Sequence, residues 1–413
     1  MVSRLAPLRY RLAQTRYRLT QIIKLPVGRL VSSGMSVLLR VTLPICTFLT
    51  LSAQARFPGL TLPPSGNNQK AEVIQYIGPV RVSVSYSSPA VHGPDGKDRR
   101  GQIWGKLVPY GLVNLGFGTA KESPWRAGAN ENTVFAISDD VLIEGQSLKA
   151  GQYGLHMIPG QDEWTIVFSR DSAAWGSFYY DPAHDALRVK VKPHGNPYRE
   201  WLTYDFSNRK PGEATLELQW EELAIPVAIR VERVNDLYIT RLKQDLTTTP
   251  GFHWQAFSAA AQFAVTVENL PQALEWADAA AGMPFIGVAN FETLTLKAQI
   301  LEKLGRNEES DKLVQQALRL PTTTALEIHM FGRRLMSEKK SAEAMKVFQY
   351  NAERNGDAWP VHVGLARGYA AAGKNSEALE HARKALTQAP DEVNRKNLEA
   401  MVKTLSEGHS LDQ

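Results

Sequence analysis

The chain has 413 residues, 43% of them hydrophobic, which is enough to bury more than one core and suggests two or three domains. Its formal charge of +5 is unevenly spread: residues 1–55 carry eight basic side chains (Arg4, Arg9, Arg11, Arg16, Arg18, Lys24, Arg29, Arg40) and no Asp or Glu, so taking 8 from 47 leaves 39 basic against 42 acidic residues, a net of −3. That balance gives no support to a nucleic-acid partner, and with Cys46 as the only cysteine a disulfide framework is excluded.

The first segment reads as a signal peptide over residues 1–55. Basic residues lead into an apolar stretch from Ser36 to Leu51, broken by Arg40 and Pro44, and then into Ala53-Gln54-Ala55, a small-x-small cleavage pattern. Cleavage is expected after Ala55 and localisation is expected to be periplasmic or secreted. Met35 would make a more typical start, so residues 1–34 read as an over-extended start. The longest uncharged run, Val41 to Ala55, is shorter than the ~20 apolar residues of a spanning helix. Membrane contact is therefore expected only through an uncleaved leader. Loss of the leader removes Cys46 and with it any thiol chemistry. Residues 56–72 are polar and turn-rich and read as a flexible segment.

Residues 73–235 read as an all-β domain. Val80, Val82, Val84 and Tyr86 alternate on one face of a strand, and further strands are expected at 133–138, 141–143, 151–158, 164–169, 186–192, 201–206, 214–221 and 225–231. Turn residues separate nearly all of them, which predicts antiparallel sheets in a jelly-roll-like sandwich. From Asp236 the hydrophobic period lengthens from two to about 3.6 and Ala and Leu rise, so an all-α domain is expected over 236–405, with a tail at 406–413. Superposing the chain on itself at a 34-residue offset aligns Leu365, Ala366, Tyr369, Ala378, Ala382 and Ala385 with Phe331, Gly332, Leu335, Ala344, Phe348 and Asn351. An earlier unit, 271–280, mirrors 376–385 after a small insertion near Met283 to Val288. Small residues at fixed offsets let paired helices approach closely, and Pro390 ends the last pair. The pattern resembles tetratricopeptide repeats, which implies a superhelix whose concave face binds a protein or peptide.

Within the β domain, the run Pro-Trp-Arg-Ala-Gly-Ala-Asn-Glu-Asn-Thr from Pro124 to Thr133 joins polar groups directly to a strand. Arg126 offers a planar fork of donors suited to an anion, Glu131 an acceptor, and Asn130 both. His156 alternates with Leu155 and Met157 and so faces away from them, toward the Arg126 strand. The candidate ligand-binding residues are thus Trp125, Arg126, Asn130, Glu131 and His156. An ion pair between Arg126 and Glu131, with Asn130 capping a turn, is the structural alternative. The Trp125–Thr133 run is preceded by I-W-G-K-L-V-P-Y-G (103–111) and followed by L-K-A-G-Q-Y-G-L-H-M-I-P (148–159) and E-W-T-I-V-F (163–168). Together these resemble the bacterial family known only as domain of unknown function 2911, over residues 73–231. The resemblance supports a β domain and implies no chemistry, since the family has none assigned. Residues 112–124, between P-Y-G and W-R, depart from the family pattern, and this loop is expected to gate the approach to Arg126.

Catalytic signatures are absent: there is no G-x-S-x-G elbow, H-E-x-x-H pair, phosphate-cradling loop or EF-hand spacing. His92 with Asp95 and Asp98 could offer a metal three ligands, but the set reads more simply as a solvated hairpin loop. No metal or cofactor is expected. The leading expectation is an exported binding protein, with a pocket for a small anionic or glycan ligand and helices that dock a protein. The alternative is a hydrolase of a glycan or other envelope polymer, with Glu131 as general acid or base and His156 assisting.

Overall fold

The computed structural model describes residues 68–409 and 411. The expected signal peptide, Cys46 and most of the expected flexible segment lie outside the described residues. Ten strands precede ten α-helices: β1 (Gln69–Ile77), β2 (Val80–Ser88), β3 (Thr133–Ile137), β4 (Val141–Ile143), β5 (Gln146–Leu148), β6 (Gly151–Ile158), β7 (Trp164–Ser169), β8 (Asp185–Val191), β9 (His194–Lys210) and β10 (Glu213–Arg230). They form two antiparallel sheets, of order β1-β2-β3-β6-β7-β8 and β5-β4-β10-β9. The alternating residues of β2 explain why. Val80, Val82, Val84 and Tyr86 are all buried, in one core with Phe135 and Phe168 of the first sheet and Leu216, Leu218, Trp220 and Ile229 of the second.

Four strands differ from the sequence reading: β9, expected only over 201–206, runs for 17 residues from His194 to Lys210, and β1, β10 and β5 differ as well. β1 starts at Gln69, inside the segment expected to be flexible, and pairs in unbroken register with β2 from Gln69↔Ser88 to Ile77↔Val80. It is an edge strand whose side chains alternate exposed and half-buried, so its polar composition hides the strand pattern. The two strands expected at 214–221 and 225–231 are a single 18-residue strand, β10. The Glu221-Glu222 break between them is absorbed by register shifts against β9, with Glu221 at φ 55°, rather than by a turn. β5, three residues long, was too short to carry a pattern.

The helices are α1 (Val234–Asp245), α2 (Trp254–Thr266), α3 (Leu270–Gly282), α4 (Phe291–Lys303), α5 (Asn307–Arg319), α6 (Ala325–Ser337), α7 (Ser341–Asn355), α8 (Trp359–Ala371), α9 (Asn375–Thr387) and α10 (Glu392–Ser406). Two interleaved series, α4-α6-α8 and α5-α7-α9, each begin every 34 residues. α2 and α3 begin 37 residues before α4 and α5, and the three extra residues fall in the connection after Gly282, where the sequence placed its insertion. Consecutive helices pack as pairs. Ala366, Ala378, Ala382 and Ala385 are completely buried, the close approach expected of small residues at these offsets. No described helix is long and apolar enough to cross a membrane.

Helix α1 serves both regions. Val234 and Leu237 pack against the sheet core, whereas Ile239, Leu242 and Leu246 join the first helical core. The β1–β2 turn is fitted to it: Gly78 has φ +58°, and a Cβ there would stand 2.2 Å from Val234 Cγ2. Any side chain at Gly78 is therefore both strained and obstructed. Two turns further along α1, Arg241 Nη2 donates to both carboxylate oxygens of Asp139 at 3.0 Å.

Candidate functional site

Three of the four sequence motifs in the β domain each supply a tryptophan to one cluster. Trp104, Trp125 and Trp164 meet Trp220 of β10, with Trp104 edge-on to the other three at ring separations of 5.3 to 5.9 Å. Trp125 stacks on Trp220 at 6.4 Å. The fourth motif holds Trp125 in place, since the backbones of Trp125 and Met157 exchange two hydrogen bonds of 2.8 Å. Edge-to-face contacts of this kind contribute roughly 0.5–1.5 kcal/mol each beyond their area. Trp164 and Trp220 are 1% exposed, so the cluster is first a piece of core. It also has polar demands that are unmet: the indole N–H groups of Trp104 and Trp220 are buried without a partner among the described residues.

Against this cluster lies a cavity of about 390 Å³. Trp125, Trp220, Arg126 and Asn130 line it together with Arg99, Leu107, Leu115 and Asn68, and among the described residues no Asp or Glu lines it. The 112–124 loop forms part of the wall through Val113, Leu115 and Pro124. Its ends are tied by reciprocal hydrogen bonds between Val113 and Ser123, and its tip is held where Ala120 N–H donates to the Phe178 carbonyl.

Arg126 borders the cavity and packs against an aromatic shelf. Its guanidinium sits 5.1 Å from the Phe178 ring and 5.6 Å from Trp175, which stack on each other. Gly176 at φ +68° permits this, because a Cβ there would lie 2.6 Å from Arg126 Nη1. Nη1 donates to the Asn130 carbonyl at 2.6 Å, across a turn in which Ala127 and Asn130 both have positive φ. Burial pulls the guanidinium below its ordinary pKa, with no opposite charge contributing.

The other two candidates lie elsewhere. Glu131 does not pair with Arg126: its Oε2 accepts from Ser87 Oγ at 3.1 Å and Lys70 Nζ at 3.4 Å, and it does not line the cavity. Burial would raise its carboxyl, but its own backbone N–H, Lys70 and Ser87 outweigh that and hold it below the ordinary range. His156 is 2% exposed, its Nδ1 3.0 Å from Ser177 Oγ, and it too is outside the cavity lining. Burial, and secondarily the charge of Arg126, push its imidazole down to about 4, so it is neutral at pH 7. Glu131 and His156 thus share neither a partner nor the cavity, and the acid–base pairing of the hydrolase alternative is not assembled.

The loop histidine His92 is taken up structurally. Its Nδ1 and backbone N–H both face the Glu200 carboxylate, at 3.0 and 2.9 Å, while Asp95 pairs with Lys97. Among the described residues no three His, Cys, Asp or Glu side chains are grouped to hold a metal ion. Sequence reasoning passed over Arg99 and Trp220. Trp220 was accessible in principle, as the last member of the alternating Ala214-Leu216-Leu218-Trp220 face, whereas nothing local marks Arg99.

The helices carry a second concavity, about 310 Å³, where α6, α8 and α10 meet. Arg333, Arg367, Asn394 and Asn397 line it beside Met330 and His329, and again no carboxylate among the described residues does. His329 is 3% exposed with an unpartnered Nδ1, and burial, then Arg333 and Arg367, push its imidazole down to about 3. Arg367 Nε is also buried and unpartnered. A larger hollow of about 620 Å³ between α4 and α7 is lined by charges of both signs. Next to it, Lys340 pairs with both Glu302 and Glu338, which marks a solvated seam rather than a site.

An antiparallel two-sheet domain with a tryptophan-walled cavity, continued by paired helices of 34-residue period, is the class of protein this structure defines. Residues 68–229 match the family described as "Protein of unknown function (DUF2911)", a span that takes in all ten strands save the last residue of β10. Similar solved structures are tetratricopeptide-repeat proteins. One from Parabacteroides merdae is 15% identical, covering 42% of this chain and 69% of its own at a TM-score of 0.27. A thermophilic example from Thermus thermophilus is 20% identical, covering 41% and 91% at 0.27. YrrB, described as having an unusual peptide-binding site, is 19% identical, covering 40% and 89% at 0.26. No curated protein sequence matches the chain.

Proposed function

We propose that this is an exported binding protein in which the sheet domain receives a small molecule and the paired helices dock a protein partner. The observation that carries the reading is the 390 Å³ cavity. Its size is that of an ordinary ligand site, and the Trp125–Asn130 run, the inserted loop and Trp220 of β10 all contribute to its wall. In this reading the two sheets form a jelly-roll-like sandwich that frames the cavity, and the leader delivers the mature chain, starting at Arg56, to the periplasm or beyond. The partner docks on the concave face of the helices, where α6, α8 and α10 meet. Arg333 and Arg367, with no carboxylate in that lining among the described residues, favour an acidic segment.

A thermal-shift screen of small metabolites against the mature protein, paired with affinity capture from periplasmic extract, tests both halves. At least one compound should raise the melting temperature of the wild type but not of Trp125→Ala, and a partner should be lost on Arg333→Glu. A screen without hits, together with capture that Arg333→Glu leaves unchanged, defeats the reading. N-terminal sequencing of the exported chain checks the leader.

A further inference from the structure

We infer that the sheet-domain cavity selects a small organic anion, a carboxylate or phosphate ester with a flat apolar body, rather than a neutral glycan. The inference rests on the proposed small-molecule reading and specifies its chemistry. Among the described residues the charged side chains that line the cavity are two arginines, Arg99 and Arg126. Arg99 is the more engaged, its Nε and Nη2 donating to the carbonyls of Val91 and Ala90 at 3.0 and 2.7 Å and its charge felt by Asp95. Arg126 makes one Nη1 bond, to the Asn130 carbonyl, which leaves most of its five donors, and among the described residues no carboxylate offsets its charge. A half-buried cation without a counter-ion is an expensive arrangement, and an incoming anion relieves it. The Trp220 indole N–H is a second donor on the same wall, buried and unpartnered.

The apolar part follows from the remaining lining. Trp125 and Trp220 lie nearly parallel at 16°, with Leu107, Val113 and Leu115 beside them, a surface suited to a planar ring. A neutral glycan fits this lining poorly. Sugar hydroxyls donate as well as accept, so a glycan site needs acceptors, carboxylates among them, as well as donors. Among the described residues no carboxylate lines this cavity, and the Asn130 side-chain oxygen already accepts from Asn68 Nδ2 at 3.0 Å.

The test uses the mature protein and three probes: 2-naphthoate, its neutral isostere 2-naphthamide, and inorganic phosphate. Affinity is read by tryptophan fluorescence, and the site by the indole N–H resonance of Trp220, assigned with Trp220→Phe. Naphthoate should bind at least tenfold more tightly than naphthamide and shift the Trp220 resonance. Arg126→Gln, verified as folded by circular dichroism, should abolish that preference. Equal affinity for naphthoate and naphthamide overturns the inference and leaves the small-molecule reading standing. Phosphate binding as tightly as naphthoate overturns the requirement for an apolar body. Failure of all three probes to bind overturns the inference, while the small-molecule reading is decided separately by the metabolite screen. Because the naphthoate-to-naphthamide ratio is measured on wild type, an Arg126→Gln protein that does not fold leaves the test intact.

Discussion

In the groove on the helices the lining residues recur at helical spacing: Leu326, His329, Met330 and Arg333 on α6, Trp359, Val363 and Arg367 on α8, Asn394, Asn397, Leu398 and Met401 on α10. In the cavity on the sheets they come from Asn68, Arg99, Leu107, the 124–130 run and Trp220, with no common spacing. Among the described residues both concavities are lined by arginine and by no carboxylate, and both adjoin a buried nitrogen without a partner. A helix presents one face every three or four residues, so three stacked helices generate a groove from sequence period alone. The sheet cavity is made by loops, and its shape depends on particular turns such as Ala127 and Asn130 at positive φ. The helical groove should therefore tolerate substitution site by site, whereas the sheet cavity should respond as a unit.

The sharpest way to break this comparison is to ask whether the two regions unfold separately. Phe348 is completely buried, and Cβ atoms at Gly332 and Gly364 would stand 2.3 and 2.5 Å from its ring, so three segments are cut to its shape. Phe348→Ala should cost about 3–5 kcal/mol. In urea, helical circular dichroism should be lost first while tryptophan fluorescence from the sheet cluster persists. Coincident transitions would mean that α1, shared between both cores, makes them one cooperative unit.

A smaller effect separates the regions by pH. An unfolded histidine titrates near 6.5 and His156 in the folded sheet domain near 4, so the unfolded chain binds the extra proton between those values. Stability from this group is complete above about pH 6.5 and declines as pH falls toward 4, by on the order of 3 kcal/mol. Urea midpoints at pH 7 and 4.5 should differ less in His156→Gln than in wild type. An unchanged difference would mean His156 is not buried as a neutral ring. His329, held near 3, acts in the same direction from the helical side.

The smallest effect concerns the link itself. Arg241 and Asp139 form an exposed two-oxygen contact, and Arg241→Gln should cost less than about 1 kcal/mol, diminishing with salt. A larger, salt-independent loss would show that α1 is seated on the sheets chiefly through this pair rather than through Val234 and Leu237.

Periodicity carried the sequence reading a long way. The 34-residue repeat located α4 to α9, and the alternation in β2 identified its core face, because regular backbones convert spacing directly into facing. It failed where an element is short or exposed, as in β1 and β5, and where a long strand passes a polar break, as in β10. In the candidate site, Trp125, Arg126 and Asn130 do meet at one cavity. Glu131 was included because it is adjacent in sequence, yet the chain direction at Asn130 turns it toward Ser87 and Lys70. His156 was included because of strand parity, yet parity cannot distinguish a residue facing a cavity from one sealed beneath Tyr180 and Ser177.

Taken alone, the order of residues determined that sheets would precede paired helices and which face of each would be buried, because burial of apolar surface follows local period. Only the tertiary structure decided that Trp104, Trp125, Trp164 and Trp220 would gather behind one cavity, that Arg126 would be left without an acid, and that the Trp220 N–H would go unpartnered. Those are relations between residues up to about a hundred positions apart, and charge compensation and hydrogen-bond satisfaction are properties of neighbours in space.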